Sequence, residues 1–443
     1  MTFIKHANTR SPATGADAAA VELYDAAIDA QLRVSTDVGD VWEATVADHP
    51  GFVLGHIGRA YLRGWSSEEP AFTEARGILA DLGEPPGLDD RERRHLAAAW
   101  AYTTGDLVGA AERLAALSAV YPHDSLALAV GHLLDFFVGD AVMLRDRIGR
   151  ALPHWDRSHP HYGFLLGMYA FGLEECGAYQ EAEETGMRAL EHDARDVWAL
   201  HAVAHTHEMQ SRLRTGLDFL AERRADWEDG NLLAVHNTWH EALLLLGDGQ
   251  IEAVLASYDR VVAPGEGPLA ALDMVDASAL LWRLHLDRVD VGERWQPVAQ
   301  GWESILDEPW YVFNDVHAVM ALVGAGRLGD ARNRVERLVR DRSAASTNIA
   351  MTTQVGLPIC SAIVAFGERR YRDVVDLLHP IRRNVHLMGG SNAQRDAVAR
   401  TLFEAAIRAG EGDLARAIAA ERTDINSADP YTRRQLSRIT AVA

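Results

Sequence analysis

The sequence predicts an all-α protein, an α-solenoid or superhelix of antiparallel helical hairpins, on two observations. Apolar residues recur at i, i+3, i+4 and i+7 from about Asp17 onward, and short connectors carrying Gly, Asp or Pro interrupt that pattern at regular intervals. The first is clear in AERLAALSAVY from Ala111, EAEETGMRALEH after Gln180 and EAVLASYDRVV after Ile251. This is the period of an amphipathic helix, in segments of roughly 12 to 20 residues, and no period-2 stretch competes with it. The connectors are Gly105-Asp106, Gly139-Asp140, Gly177-Ala178, Gly247-Asp248-Gly249 and Gly326 onward to Asp330. A helix that ends at such a turn and is followed within about two to four residues by another folds back antiparallel to it.

The hairpins recur roughly every 35 to 44 residues, the range of tetratricopeptide-like repeats, although the Trp, Leu-Gly and Tyr consensus is degenerate. A 443-residue chain of this kind can be one array whose core grows along its axis. Residues 17–443 therefore read as a single tetratricopeptide-like repeat domain, and residues 1–16 as a loosely held arm. The PGEGP stretch from Pro264 to Pro268 is the most Gly/Pro-rich connector, but helical spacing resumes on both sides, so no boundary is drawn there.

With 48% hydrophobic residues the chain has ample material for a core. Its 64 acidic residues against 43 Lys and Arg leave a net charge of -21, a field that repels phosphate backbones and anionic lipid, and no basic run overrides it. Nucleic-acid and membrane partners are not expected. Cys176 and Cys360 lack CxxC spacing and read as buried thiols in a reducing compartment. The N-terminus lacks a signal-peptide core, and no stretch reads as approaching the ~20 apolar residues of a membrane span, which points to the cytoplasm.

Chemistry concentrates in a few helices. In DVWALHAVAHTHEMQSR, from Asp196, helical geometry puts His201, His205, Glu208 and Arg212 on one stripe. NLLAVHNTWHEALLLLGDG, from Asn231, carries His236 and His240, again four apart. His201 to His236 and His205 to His240 are each 35 residues (236 − 201 and 240 − 205), one repeat, so the pairs should sit side by side on neighbouring first helices. Asp273, Asp276, Leu280 and Arg283 share a stripe in the next repeat, Asp276 lying 36 residues after His240 (276 − 240). FNDVHAVMAL then offers Asp315 and His317, and because first helices line a concave surface, all these side chains should face one groove.

Two His at i and i+4 can share a transition metal, and a ligand from the next helix completes a site with an open position. No HExxH motif is present, since Ser211 and Leu244 stand where the second His would be. A structural hydrogen-bond network among these groups remains an alternative. In HLMGGSNAQRD, from His386, Ser391 and Gln394 read as a capping box that starts a helix, with an anion site beside Arg395 as the other possibility. Phosphate loops, nucleophile elbows and dinucleotide fingerprints are absent, which argues against ATP- or nicotinamide-dependent chemistry. Trp282, Trp295, Trp302 and Trp310 read as packing between hairpins, or else as a stacking wall of the groove.

HAVAHTHEMQSR, HNTWHEALLLL, DMVDASALLWRL, FNDVHAVMAL, VGLPIC, LLHPIRR and GGSNAQRD occur in this order over about Asp196 to Gly410. Together they resemble successive blocks of the tetratricopeptide repeat protein 38 family. The resemblance implies a tetratricopeptide-like fold and singles out His201, His205, Glu208, Gln210, His236, Asn237, Trp239, His240, Asp276, Arg283, Asp315, His317, Gln394, Arg395 and Asp396. The chain departs from the pattern at His207 and Ser211, where an apolar residue and a glycine are expected. The resemblance supplies a fold and no reaction.

Two functional expectations follow. In the first, the groove, with Arg212 included among its binding residues, takes a small polar molecule or a peptide. In the second, the protein is a metal-assisted hydrolase or lyase, with zinc or iron on His201, His205, His236 and His240 and Glu208 or Asp276 as general base. No cofactor is required by the first, and the oligomeric state is left open by both.

Overall fold

The computed structural model describes residues 13–263, 265, 270–305, 309–340 and 346–442. Among them the regular structure is all helical, with one isolated bridge, Ser35 to Asn231, and no strand. The all-α hairpin-repeat class is therefore observed. The chain forms two compact units: Met1–Val203 with Ala225–Ala234 and Ala345–Thr347, and Ala204–Arg224 with Val235–Ala344 and Asn348–Ala443.

In the first unit, five hairpins follow one another among the described residues: α1 (Ala18–Leu32) with α2 (Val38–Ala47), α3 (Val53–Arg63) with α4 (Glu69–Leu82), α5 (Asp90–Thr103) with α6 (Leu107–Val120), α7 (Ser125–Phe137) with α8 (Ala141–Ala151), and α9 (Tyr162–Glu175) with α10 (Tyr179–His192). Aspartates start several of them. Asp106, Asp124 and Asp140 each accept from the backbone N–H three residues on, satisfying a donor that a helix start leaves unpaired. At the end of α9, Gly177 adopts φ 79°, and the bonds from Gly177 N to Glu174 O and Ala178 N to Leu173 O close the turn. Buried ion pairs then tie helix to helix. Arg147 of α8 donates to both oxygens of Asp135 on α7, and Arg91 of α5 reaches Asp124, which also meets His95.

Residues 13–16, the end of the expected arm, are anchored. Thr14 donates through both its backbone N–H and its hydroxyl to Glu92. The rest of the arm, and the PGEGP stretch apart from Gly265, lie outside the described residues.

α11 (Val197–Met209) begins in the first unit and ends in the second. After it come α12 (Leu213–Glu222), α13 (Arg224–Trp227), α14 (Ala234–Gly247), α15 (Ile251–Ser257), α16 (Ala271–Leu286), α17 (Trp295–Ile305), α18 (Val312–Gly324), α19 (Leu328–Arg340), α20 (Ser346–Met351), α21 (Leu357–Gly367), α22 (Tyr371–Leu378), α23 (Asn392–Arg408), α24 (Gly412–Ile425) and α25 (Pro430–Val442). In the second unit the first helices of successive hairpins pack on one another: α16 on α18, α18 on α21, α21 on α23, and α23 back on α16. Trp282 and Trp302 are fully buried there, their indole N–H groups donating to Thr401 and Ser278. These two tryptophans are core, as expected of polar-tipped aromatics with a partner in reach.

One helical stretch, Thr347–Gly367, is long and apolar enough to cross a membrane, with a hydropathy of 1.7. It contradicts the expectation that no stretch approaches that length, since three threonines, Asn348, Gln354 and Pro358 interrupt the apolar run. Most of the stretch is buried inside the protein, where α18, α19, α22 and α23 cover α21. Among the described residues no other helix meets that length and hydropathy. Both cysteines are free thiols, Cys360 buried and Cys176 only partly so.

Candidate functional site

The second unit gathers three imidazoles from two helices. His205 lies on α11, and His236 and His240 lie one turn apart on α14. Each offers a ring nitrogen within 4.8 Å of the others. The His205 and His240 rings are 4.2 Å apart between centroids, as one repeat of spacing predicts. His201 sits one turn before His205 on α11, and in the first unit its ring packs against Phe171 and Trp198, at 5.0 Å and 5.6 Å.

The orientation of His236 and His240 is set by carboxylates. Asp276 Oδ2 accepts from His236 Nδ1 at 2.8 Å, and Glu208 Oε2 is paired with His240 Nδ1 at 2.8 Å. Asp276 therefore meets His236, 40 residues away, instead of His240, the neighbour that repeat spacing favours. With both outer nitrogens engaged, His236 Nε2 and His240 Nε2 face each other at 3.2 Å. If both Nδ1 atoms carry protons, two lone pairs point at one another, and only a proton or a cation between them makes that arrangement favourable.

Burial and charge shape the titration of this cluster. Burial pushes Glu208 up to about 7, against the pull of His205, Arg283 and Arg400. For His236, burial disfavours the charged ring, but the charge and hydrogen bond of Asp276 outweigh it and hold the pKa above the usual range. Burial, with the charge of Asp276, pushes Asp273 up to about 6.

Trp239 walls the cluster. His236 stacks on it at 5.3 Å with an interplanar angle of 15°, and the guanidinium of Arg283 lies 5.3 Å from its ring. The stacking wall expected of the later tryptophans is thus this residue. Asn237, adjacent and fully buried, has no hydrogen-bond partner for either amide atom among the described residues. Across α18, His317 donates Nδ1–H to Phe313 O at 2.7 Å, and burial takes it down to about 4, so it is neutral and its Nε2 is an acceptor.

Other expected groove residues are engaged elsewhere. Asp315 and His317 are two positions apart, so they face opposite sides of α18. Asp315 is paired with Arg334 of α19, both buried, which makes it a clamp within its hairpin. The missed signal was Arg334, a cation inside the apolar pattern of the second helix. Gln394 completes the capping box, its Oε1 accepting from Ser391 N and its N–H donating to Ser391 Oγ. Arg395 donates to Gly390 O and to Asn392 Oδ1, holding the turn before α23. Asp396 bridges Arg400 and Arg422, whose charges, opposing the effect of burial, hold its carboxyl well below the usual range. Gln210 is half-buried in the turn after α11, and Arg212 forms the N-cap position of α12. His207 turns away from the cluster to meet Phe219 of α12 edge-on at 5.5 Å. Its imidazole packs the α11–α12 hairpin, so the departure from the resemblance at this position lies outside the site.

The arrangement can hold a cation on three nitrogens, back two of them with carboxylates, and present an arginine and an acceptor imidazole nearby. No family model matches the chain.

Proposed function

We propose that this protein binds a divalent transition metal on His205, His236 and His240 and uses it to hold a small polar molecule. The carrying observation is the face-to-face pair of carboxylate-backed imidazoles. Two nitrogens bound to one tetrahedral zinc, each at its usual bond length, lie about 3.3 Å apart, and His236 Nε2 and His240 Nε2 are already at 3.2 Å. A metal-bound imidazole almost always gives its other N–H to a carboxylate or carbonyl, as both rings do here. In this reading Glu208 and Asp276 are positioning groups, and neither serves as the general base.

Metal-assisted hydrolysis or lyase chemistry is the second reading, and it is favoured by the three nitrogens that the second unit alone supplies. Three nitrogen ligands would then leave the open position that catalytic sites keep. The same proposal groups the chain with proteins like tetratricopeptide repeat protein 38, on the ordered blocks quoted above, and places it in the cytoplasm, on its two free thiols.

Elemental analysis of protein purified without added metal tests the site. We expect about one zinc or iron per chain, with the metal lost in the His236→Ala/His240→Ala double variant. Affinity should fall by roughly 10- to 100-fold in Glu208→Gln, which keeps the shape but weakens the support of His240. Wild-type protein that carries no metal, and whose Tm does not respond to added zinc, would show that the three imidazoles and two carboxylates form a structural network instead.

A further inference from the structure

The buried arginines of this protein show a consistent habit. Arg91, Arg147 and Arg334 each meet a carboxylate, Asp124, Asp135 and Asp315 respectively. Arg283 breaks it. Its side chain is buried, yet among the described residues no carboxylate lies within ion-pair distance, and its hydrogen bonds go to the backbone carbonyls of Ala279 and Ala393. Carboxylates are near enough to act on its charge, but each is bonded elsewhere: Glu208 to His240, Asp276 to His236, and Asp396 to Arg400 and Arg422.

Around this cation are buried polar atoms without partners among the described residues. His317 Nε2 is one, held as an acceptor by the bond from its Nδ1–H to Phe313 O, and it lies close enough to feel the charge of Arg283. Trp239 Nε1 and Asp276 Oδ1 are two more, the first on the ring over which Arg283 sits and the second on the carboxylate that backs His236. A buried cation without an anion, buried acceptors without donors and a buried indole N–H without an acceptor are costly alone, and a ligand carrying the complementary groups removes the cost.

Resting on the metal-site reading above, we infer that the small polar molecule is a carboxylate bearing a hydroxyl or amino group. The carboxylate pairs with the planar fork of Arg283, the match that guanidinium geometry favours. The hydroxyl or amine donates to His317 Nε2. A neutral molecule of the same shape leaves Arg283 uncompensated, and a plain carboxylate leaves His317 without its donor.

Titration calorimetry on zinc-loaded, dialysed protein tests this with lactate and alanine as probes, propionate lacking the donor, and lactamide lacking the charge. Lactate or alanine should bind at least roughly tenfold more tightly than propionate and about a hundredfold more tightly than lactamide. Arg283→Gln should lose the better probe by about a hundredfold while retaining zinc, and Arg283→Lys, which keeps the charge, should stay within roughly tenfold of wild type. His317→Phe should bind propionate as before and lose its preference for the donor-bearing probe. Lactamide binding as well as lactate, no binding of any carboxylate, or a preference that survives in His317→Phe would each overturn the inference. Zinc content, measured on the same samples, separates the two proposals. Protein that takes zinc but no carboxylate sinks only this inference, whereas protein that binds lactate through Arg283 without taking zinc sinks only the metal reading.

Discussion

Asp315 shows how one side chain can look functional in sequence and be structural in the fold. It sits two residues from His317 on a helix that contributes to the site, but the helical turn sends the two to opposite faces, and Asp315 finds Arg334. Removing one partner of a buried ion pair leaves the other charge uncompensated, at a cost of about 3–5 kcal/mol. Asp315→Asn should therefore lower stability by that order, read by urea denaturation, with zinc content unchanged. Replacing both partners by apolar residues, Asp315→Leu with Arg334→Met, should recover most of the loss. A stable Asp315→Asn variant that no longer binds zinc would put Asp315 back in the site.

At the scale of the hairpin, the turn chemistry was readable and the exact facing of side chains was not. Gly105, Gly139, Gly177, Gly249 and Gly326 all take positive φ, as the connectors predicted. Period and repeat length brought His205 beside His240 because both depend only on backbone geometry. Which carboxylate reaches which imidazole depends on how neighbouring helices are offset, so Asp276 went to His236, and the bonds of Gln394, Arg395 and Asp396 to their own helix and its neighbours were invisible beforehand. Several turns depart from the glycine rule: Ser211 at φ 54° and Arg369 at φ 61°, like Val34 and Arg288, occupy the same left-handed position. Ser211 gains a bond from Asn426 at 2.8 Å, while Arg369 is exposed and closes the turn through its backbone alone. Arg369→Gly should thus raise stability by about 0.5–1 kcal/mol, since glycine escapes the side-chain penalty of that conformation. Equilibrium unfolding checks it, and a destabilised variant would mean the Arg369 side chain supports the turn.

For the whole molecule, acid is the expected weakness. Burial takes His132 down to about 3 from an ordinary 6.5, so the folded protein keeps this ring neutral while the unfolded chain protonates it. The sign follows: stability from His132 is present above pH 6.5 and is lost as pH falls toward 3. His132→Gln cannot titrate but can still donate to Met168 O, the present partner of His132. Between pH 6.5 and 4.5 wild type should lose about 2 kcal/mol more than this variant, measured by denaturant titration at each pH. Equal losses would remove His132 as a cause. The apolar stretch Thr347–Gly367 has a consequence of another kind, in the order of synthesis. α18 and α19, on which α21 rests, leave the ribosome before it, but α22 and α23, which cover its remaining sides, leave after it. At translation rates of roughly 5–20 residues per second, the wait from Gly367 to the end of α23 at Arg408 lasts about 2–8 s. During those seconds the nascent chain displays a segment with the length and hydropathy of a membrane anchor, which ribosome-bound chaperones and the membrane-insertion machinery are both built to bind.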